Sequence, residues 1–108
     1  DFQLPDGLRP ICTFREVEGL TAIVERSEAE RTQTPYIFEA RLITLTVHSS
    51  LEAIGFLAAI STCLANAGIP CNAVAAYHHD HLFIPVGRAQ HALALLEALS
   101  SDCTPAPA

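Results

Sequence analysis

The segment 55–75, Gly-Phe-Leu-Ala-Ala-Ile-Ser-Thr-Cys-Leu-Ala-Asn-Ala-Gly-Ile-Pro-Cys-Asn-Ala-Val-Ala, constrains the fold more than any other part of the chain, because it joins a helix to a strand with the stop signals in place. Leu57, Ile60 and Leu64 recur at helical spacing and line one face. Gly68 follows the last turn, where a left-handed residue closes a helix, and Pro70 blocks any continuation. Cys71 to Tyr77 then reads as a short buried strand. Upstream, Leu42-Ile-Thr-Leu-Thr-Val-His48 alternates with period two, the pattern of a strand with one buried face. Strand, helix and strand form a β-α-β unit of ordinary size.

The remaining elements follow from the same signals. Residues 1–10 carry Pro and Gly and read as an entry loop. Ile11–Arg15 and Leu20–Val24 read as two strands around a Glu18-Gly19 turn. Ser27 and Glu30 have capping-box spacing, which predicts a short helix to about Thr32. A strand over 41–48, a helix over about 50–67, strands over 71–78 and 81–86, and a helix over 88–100 complete the chain. In the last helix Ala89, Ala92, Leu93, Leu96 and Leu99 share a face, away from His91 and Glu97. The order β-β-α-β-α-β-β-α predicts an α+β fold, a two-layer sandwich with helices on one face of a largely antiparallel sheet. The expected organisation is an N-terminal β-β-α extension, residues 1–40, packed on the same sheet as a core of 41–100, with 101–108 as tail.

Composition excludes several functions. Half the residues are hydrophobic, so the chain is not disordered, and 108 residues suffice for one core without staples. Six arginines, no lysine and a net charge of −6 argue against nucleic-acid binding. No apolar run approaches a membrane span, and no signal peptide is visible, which points to the cytoplasm. Cys12, Cys63, Cys71 and Cys103 form no C-x-x-C pair and read as small hydrophobes in a reducing compartment.

Gly55-x-Leu57-Ala58-x-Ile60, Leu64-Ala65-x-x-Gly68-Ile69 and Asn72 resemble the core of the ACT domain, a small ligand-sensing module of ferredoxin-like βαββαβ topology. Ile43–Glu52 together with Asn72 through His79-Asp-His-Leu-Phe-Ile-Pro85 is similar to short, stand-alone ACT-like bacterial proteins of unassigned activity. The resemblance spans roughly residues 41–99. It departs from many ACT domains in having Ser-Leu-Glu-Ala-Ile, without an Asp and a Pro, before Gly55. An ACT domain ends in a fourth strand; none follows the last helix, and Leu20–Val24 is a candidate for its position.

Three regions could carry chemistry. Ser49 and Glu52 have S-x-x-E spacing, making Ser49 the expected cap of the central helix, whose amino end suits a carboxylate or phosphate. By the resemblance, Ser50, Leu51, Asn72 and Val74 become ligand contacts, with Ser49 and His81 beside them. The second region is Tyr77-His78-His79-Asp80-His81, read as a hairpin with His79-Asp80 as its turn, so that His78 and His81 pair across the strands. His48 is expected on the same open sheet face. Three imidazoles could hold Zn²⁺, hold an anion or sense pH; the alternative is three polar residues on a solvated face. Third, Ser and His occur together, but no nucleophile elbow, phosphate loop or dinucleotide fingerprint is present, which argues against an enzyme.

The central helix presents Gly55, Ala58, Ala59, Thr62, Ala65 and Asn66 opposite its apolar face, with no charge among them. Small residues allow close approach, so this face is an expected homodimer interface, or else a contact with the N-terminal segment. The arginines, Arg88 included, read as surface ion pairs. The resemblance implies a regulatory or sensor domain that binds a small molecule, an amino acid, as a homodimer, with no cofactor. The competing readings are a metal-binding or catalytic protein built on the histidines and a ligand-free protein-interaction module.

Overall fold

The computed structural model describes residues 3–45 and 55–103. The chain divides between Glu39 and Ala40 into two compact units. The first contains β1 (Pro10–Glu16), β2 (Gly19–Val24) and α1 (Arg26–Arg31). The second contains β3 (Ala40–Leu45), α2 (Phe56–Asn66), β4 (Asn72–Ala75), β5 (Asp80–Pro85), a 3-10 turn (Val86–Arg88) and α3 (Ala89–Cys103). The architecture is α+β and ferredoxin-like, and every described strand pair is antiparallel.

In the first unit β1 and β2 pair with each other and, among the described residues, with no other strand, so the strand expected as a fourth member of the larger sheet lies in a two-stranded one. Arg15 pairs with Leu20 and Glu16 with Gly19, which puts the turn at Val17-Glu18, one residue earlier than expected. The Thr21 hydroxyl donates to the Glu16 carboxylate beside that turn. Helix α1 starts one residue before Ser27, and its cap position is Glu25, whose side chain makes no capping bond. The capping box expected at Ser27 does not form, because Ser27 is already helical. Glu28 is used instead to tie the entry segment to α1. It accepts from the Arg9 backbone N–H at 3.1 Å and from Arg31 at 2.8 Å, while Arg31 also donates to the Gly7 carbonyl at 2.7 Å. The Arg31 hydrogen bond holds the Glu28 carboxyl below its ordinary range.

The second unit has strand order β3-β5-β4, so the last strand in sequence runs between the two before it, as a ferredoxin-like core requires. Alternation sends Leu82 and Ile84 of β5 inward, together with Ile43 and Leu45 of β3. They pack against Ile60 and Leu64 of α2, Ala92 and Leu96 of α3, and Ile69. Leu64, Leu82 and Ile84 are completely buried. Both helices therefore cover the same sheet face, and α2 buries the stripe its spacing predicts. On α3, Leu95 rather than Leu93 joins the core; Leu93 stays 40% exposed.

Helix α2 ends as its sequence predicts. Gly68 has φ +72°, its N–H donates to the Ala65 carbonyl at 2.9 Å, and the Ile69 N–H donates to the Leu64 carbonyl at 2.9 Å. These are the two bonds of a Schellman motif, with buried Ile69 and Leu64 as its apolar contact. Arg88 was expected to form a surface ion pair. Its guanidinium instead donates to the carbonyls of Gly68 and Ala67, both at 3.1 Å. It thereby satisfies carbonyls that the end of a helix leaves without partners and places a cation at the negative end of the dipole. No described helix is long and apolar enough to cross a membrane.

Candidate functional site

The face of the β3-β5-β4 sheet opposite the helices brings several of the candidate residues together. Direct cross-strand partners point to the same side, and neighbours along a strand alternate. Since Leu82 and Ile84 point to the core, His81 and Phe83 point away. Thr44 and Val74 both pair with His81, and Leu42 and Asn72 both pair with Phe83. The result is two adjacent rows across three strands, Thr44–His81–Val74 and Leu42–Phe83–Asn72. Asn72 is exposed, while Val74, His81 and Phe83 are half-buried. The face is mixed, with apolar Leu42, Val74 and Phe83 around the polar groups of Thr44, His81 and Asn72. Thr44 Oγ1 and His81 Nδ1 are 2.9 Å apart, so the hydroxyl engages the Nδ1 side of that ring.

The hairpin carrying the histidines differs from the expected one. The last ladder pair is Ala75 with Asp80, and the turn is the four residues Ala76–His79, closed by the Ala76 N–H donating to the His79 carbonyl at 3.0 Å. A two-residue turn at His79-Asp80 needs positive φ at its centre, which favours Gly and Asn. No residue of this turn has positive φ. The register therefore places Val74, not His78, opposite His81. It moves by an even number of residues, so His81 keeps the face predicted for it.

His78 lies in the turn with its ring edge-on to Tyr77, centroids 4.9 Å apart at 86°. The imidazole beside His81 is that of His79, at 6.4 Å and 85°. His79 Nδ1 is buried and has no hydrogen-bond partner among the described residues. Among those residues no group of three or more His, Cys, Asp or Glu side chains stands ready to hold a metal. The expected trio of His48, His78 and His81 is thus not assembled from His78 and His81, and His48 lies outside the described residues. Sequence reasoning overlooked Thr44 and His79. Both carry a signal: Thr44 occupies a polar, outward position of an alternating strand, and His79 precedes His81 by two.

Ser49, Ser50 and Leu51 also lie outside the described residues. The cap position of α2 is occupied by Gly55, at φ +91°, and the helix bond from the Ala59 N–H to the Gly55 carbonyl is 2.8 Å. The helix expected from about residue 50 is described from Phe56 onward, and the Ser49 cap lies outside the described residues. A glycine in left-handed conformation stands at the described start. Ala58, Ala59, Thr62, Ala65 and Asn66 are all exposed on the uncharged face of α2. Cys12, Cys63 and Cys71 are free thiols, and burial raises the pKa of the Cys71 thiol.

An ACT-domain family model matches residues 37–98, and a second ACT-domain model matches residues 1–41. No curated protein matches the sequence. Among solved structures, the chain is similar to a Vibrio cholerae protein of unknown function, described as a possible transport protein. The two are 50% identical over 82% of this chain and 68% of that one, with a TM-score of 0.75.

Proposed function

The chain belongs to the ACT-domain family, and from that premise we propose that it is a regulatory module that binds a small metabolite, an amino acid, as a homodimer in the cytoplasm. ACT domains are in general small-molecule-binding regulatory domains rather than catalysts. The observation that carries the reading is the family match over the unit whose outer sheet face combines Asn72, Val74 and His81. A ligand there meets apolar surface from Val74 and Phe83 and hydrogen-bonding groups from Asn72 and His81. Ser49, Ser50 and Leu51, which precede α2 in the sequence, complete the proposed contact set by analogy with the family.

The dimer is proposed to form through α2, across Ala58, Ala59, Thr62, Ala65 and Asn66, with Gly55 at the edge. What supports this is a helix face that is exposed, uncharged and made of small residues, which permit close packing of a second helix. A ligand regulates only by binding one arrangement better than another, so its effect is expected to appear in dimer stability.

A thermal-shift screen of dialysed protein against the common amino acids tests the proposal. A ligand at 100 times its Kd stabilises by about 2.7 kcal/mol, which raises the Tm by several degrees. A shift with one or a few amino acids supports the reading, and its loss in Asn72→Ala and Val74→Asp locates the site. No shift with any amino acid refutes amino-acid binding. Ala59→Glu tests the interface by sedimentation: the variant is expected to be monomeric where the wild type is dimeric.

A further inference from the structure

We propose that His79 and His81 form a site for a divalent transition metal at the turn end of the sheet. The two residues stand two apart in the chain, and their rings lie side by side, 6.4 Å between centroids and nearly perpendicular. Imidazoles bound to one zinc ion at about 2 Å and a tetrahedral angle have centroids roughly 5 Å apart. Metal binding requires the two rings to move together by that difference.

Each ring carries its own sign of an unfilled role. The side of His81 bearing Nδ1 is engaged by Thr44 at 2.9 Å. With Nδ1–H donated to the hydroxyl, Nε2 presents a lone pair, and the ring is oriented as second-shell partners orient metal-ligating histidines. His79 Nδ1 is buried without a hydrogen-bond partner among the described residues, a condition that native proteins avoid unless a water or an ion completes it. A cation between the rings takes this nitrogen and Nε2 of His81 as its ligands. His78, edge-on to Tyr77, is not needed.

The donor set selects the metal. Neutral imidazoles favour zinc, nickel and copper over magnesium and calcium, which prefer oxygen donors. No third protein donor joins among the described residues, so water fills the remaining positions and the metal exchanges. The net charge of −6 favours a cation on this surface. This site shares His81 with the proposed amino-acid contacts but requires neither that ligand nor a dimer.

Calorimetric titration of the full chain with zinc chloride tests the assignment. Wild type is expected to bind zinc. His79→Gln and His81→Gln each weaken binding at least tenfold, and the double variant abolishes it. Thr44→Val weakens it about tenfold through loss of ring orientation. His91→Gln, on the exposed surface of α3, leaves it unchanged. Absence of zinc binding by wild type, retained affinity in the double variant, or an equal loss in His91→Gln overturns the proposal. Long-range ¹H–¹⁵N spectra of wild type guard against misfolded variants. Zinc is expected to shift the ring nitrogens of His79 and His81 and leave those of His91 in place; a shift confined to other histidines refutes the site.

Discussion

Replacement of Gly68 by Ala isolates the free energy of one left-handed residue. Gly68 closes α2 at φ +72°, and a Cβ added there meets nothing within 4 Å. The substitution therefore introduces no clash, and its cost is the conformational penalty of an L-residue in this region, about 1–2 kcal/mol. Against this stands the reduced entropy of the unfolded chain, which favours Ala by about 0.4–1 kcal/mol. The net expectation is a loss of about 1 kcal/mol, or roughly 4 °C in Tm for a chain of this length. Gly87 supplies the control. A Cβ there also meets nothing within 4 Å, but its φ is not positive, so only the entropic gain remains. Gly87→Ala is expected to stabilise by about 0.4–1 kcal/mol. Urea unfolding of both variants, with unchanged m-values, measures the contrast. Equal effects at the two positions would refute the claim that the left-handed conformation of Gly68 selects glycine. A loss above about 3 kcal/mol at Gly68 would refute the absence of a clash.

Arg88→Met removes two bonds to the carbonyl end of α2 and is expected to cost about 0.5–1 kcal/mol, with Arg88→Lys recovering part of it; urea midpoints at low and high salt check this, since the charge–dipole part is screened. Leu64→Ala empties a completely buried position and is expected to cost about 3–5 kcal/mol by the same measurement, well beyond any surface substitution. The depressed Glu28 carboxyl gives stability that is complete above the ordinary carboxyl pKa of 4.5 and is lost as the pH falls through the lower folded value; Glu28→Gln is therefore expected to reduce the loss of stability below pH 4.5, read from unfolding midpoints across that range.

Much of this protein is written in local spacing. Leu57, Ile60 and Leu64 place the inner face of α2, and Leu82 and Ile84 place the inner face of β5, because burial depends on periodicities of 3.6 and 2. Gly68 and Pro70 end the helix through properties of their own backbones. The outward position of His81 is legible for the same reason, since even a shifted register preserves the alternation.

Tertiary structure decided who meets whom. His81 faces Val74 and Thr44 because the hairpin closes over four residues, and that register is selected by the summed pairing and burial of β3, β5 and β4 rather than by the turn residues alone. Arg88 caps α2 because the 3-10 turn after β5 meets the carbonyl end of that helix, twenty residues away in sequence from Gly68, a distance over which no local pattern operates. The sequence by itself determined the order of the elements, the buried faces of α2 and β5, and the closure of α2. The partners of the side chains at the candidate site came only from long-range packing, because contact between distant segments is a property of the assembled sheet and not of any one strand.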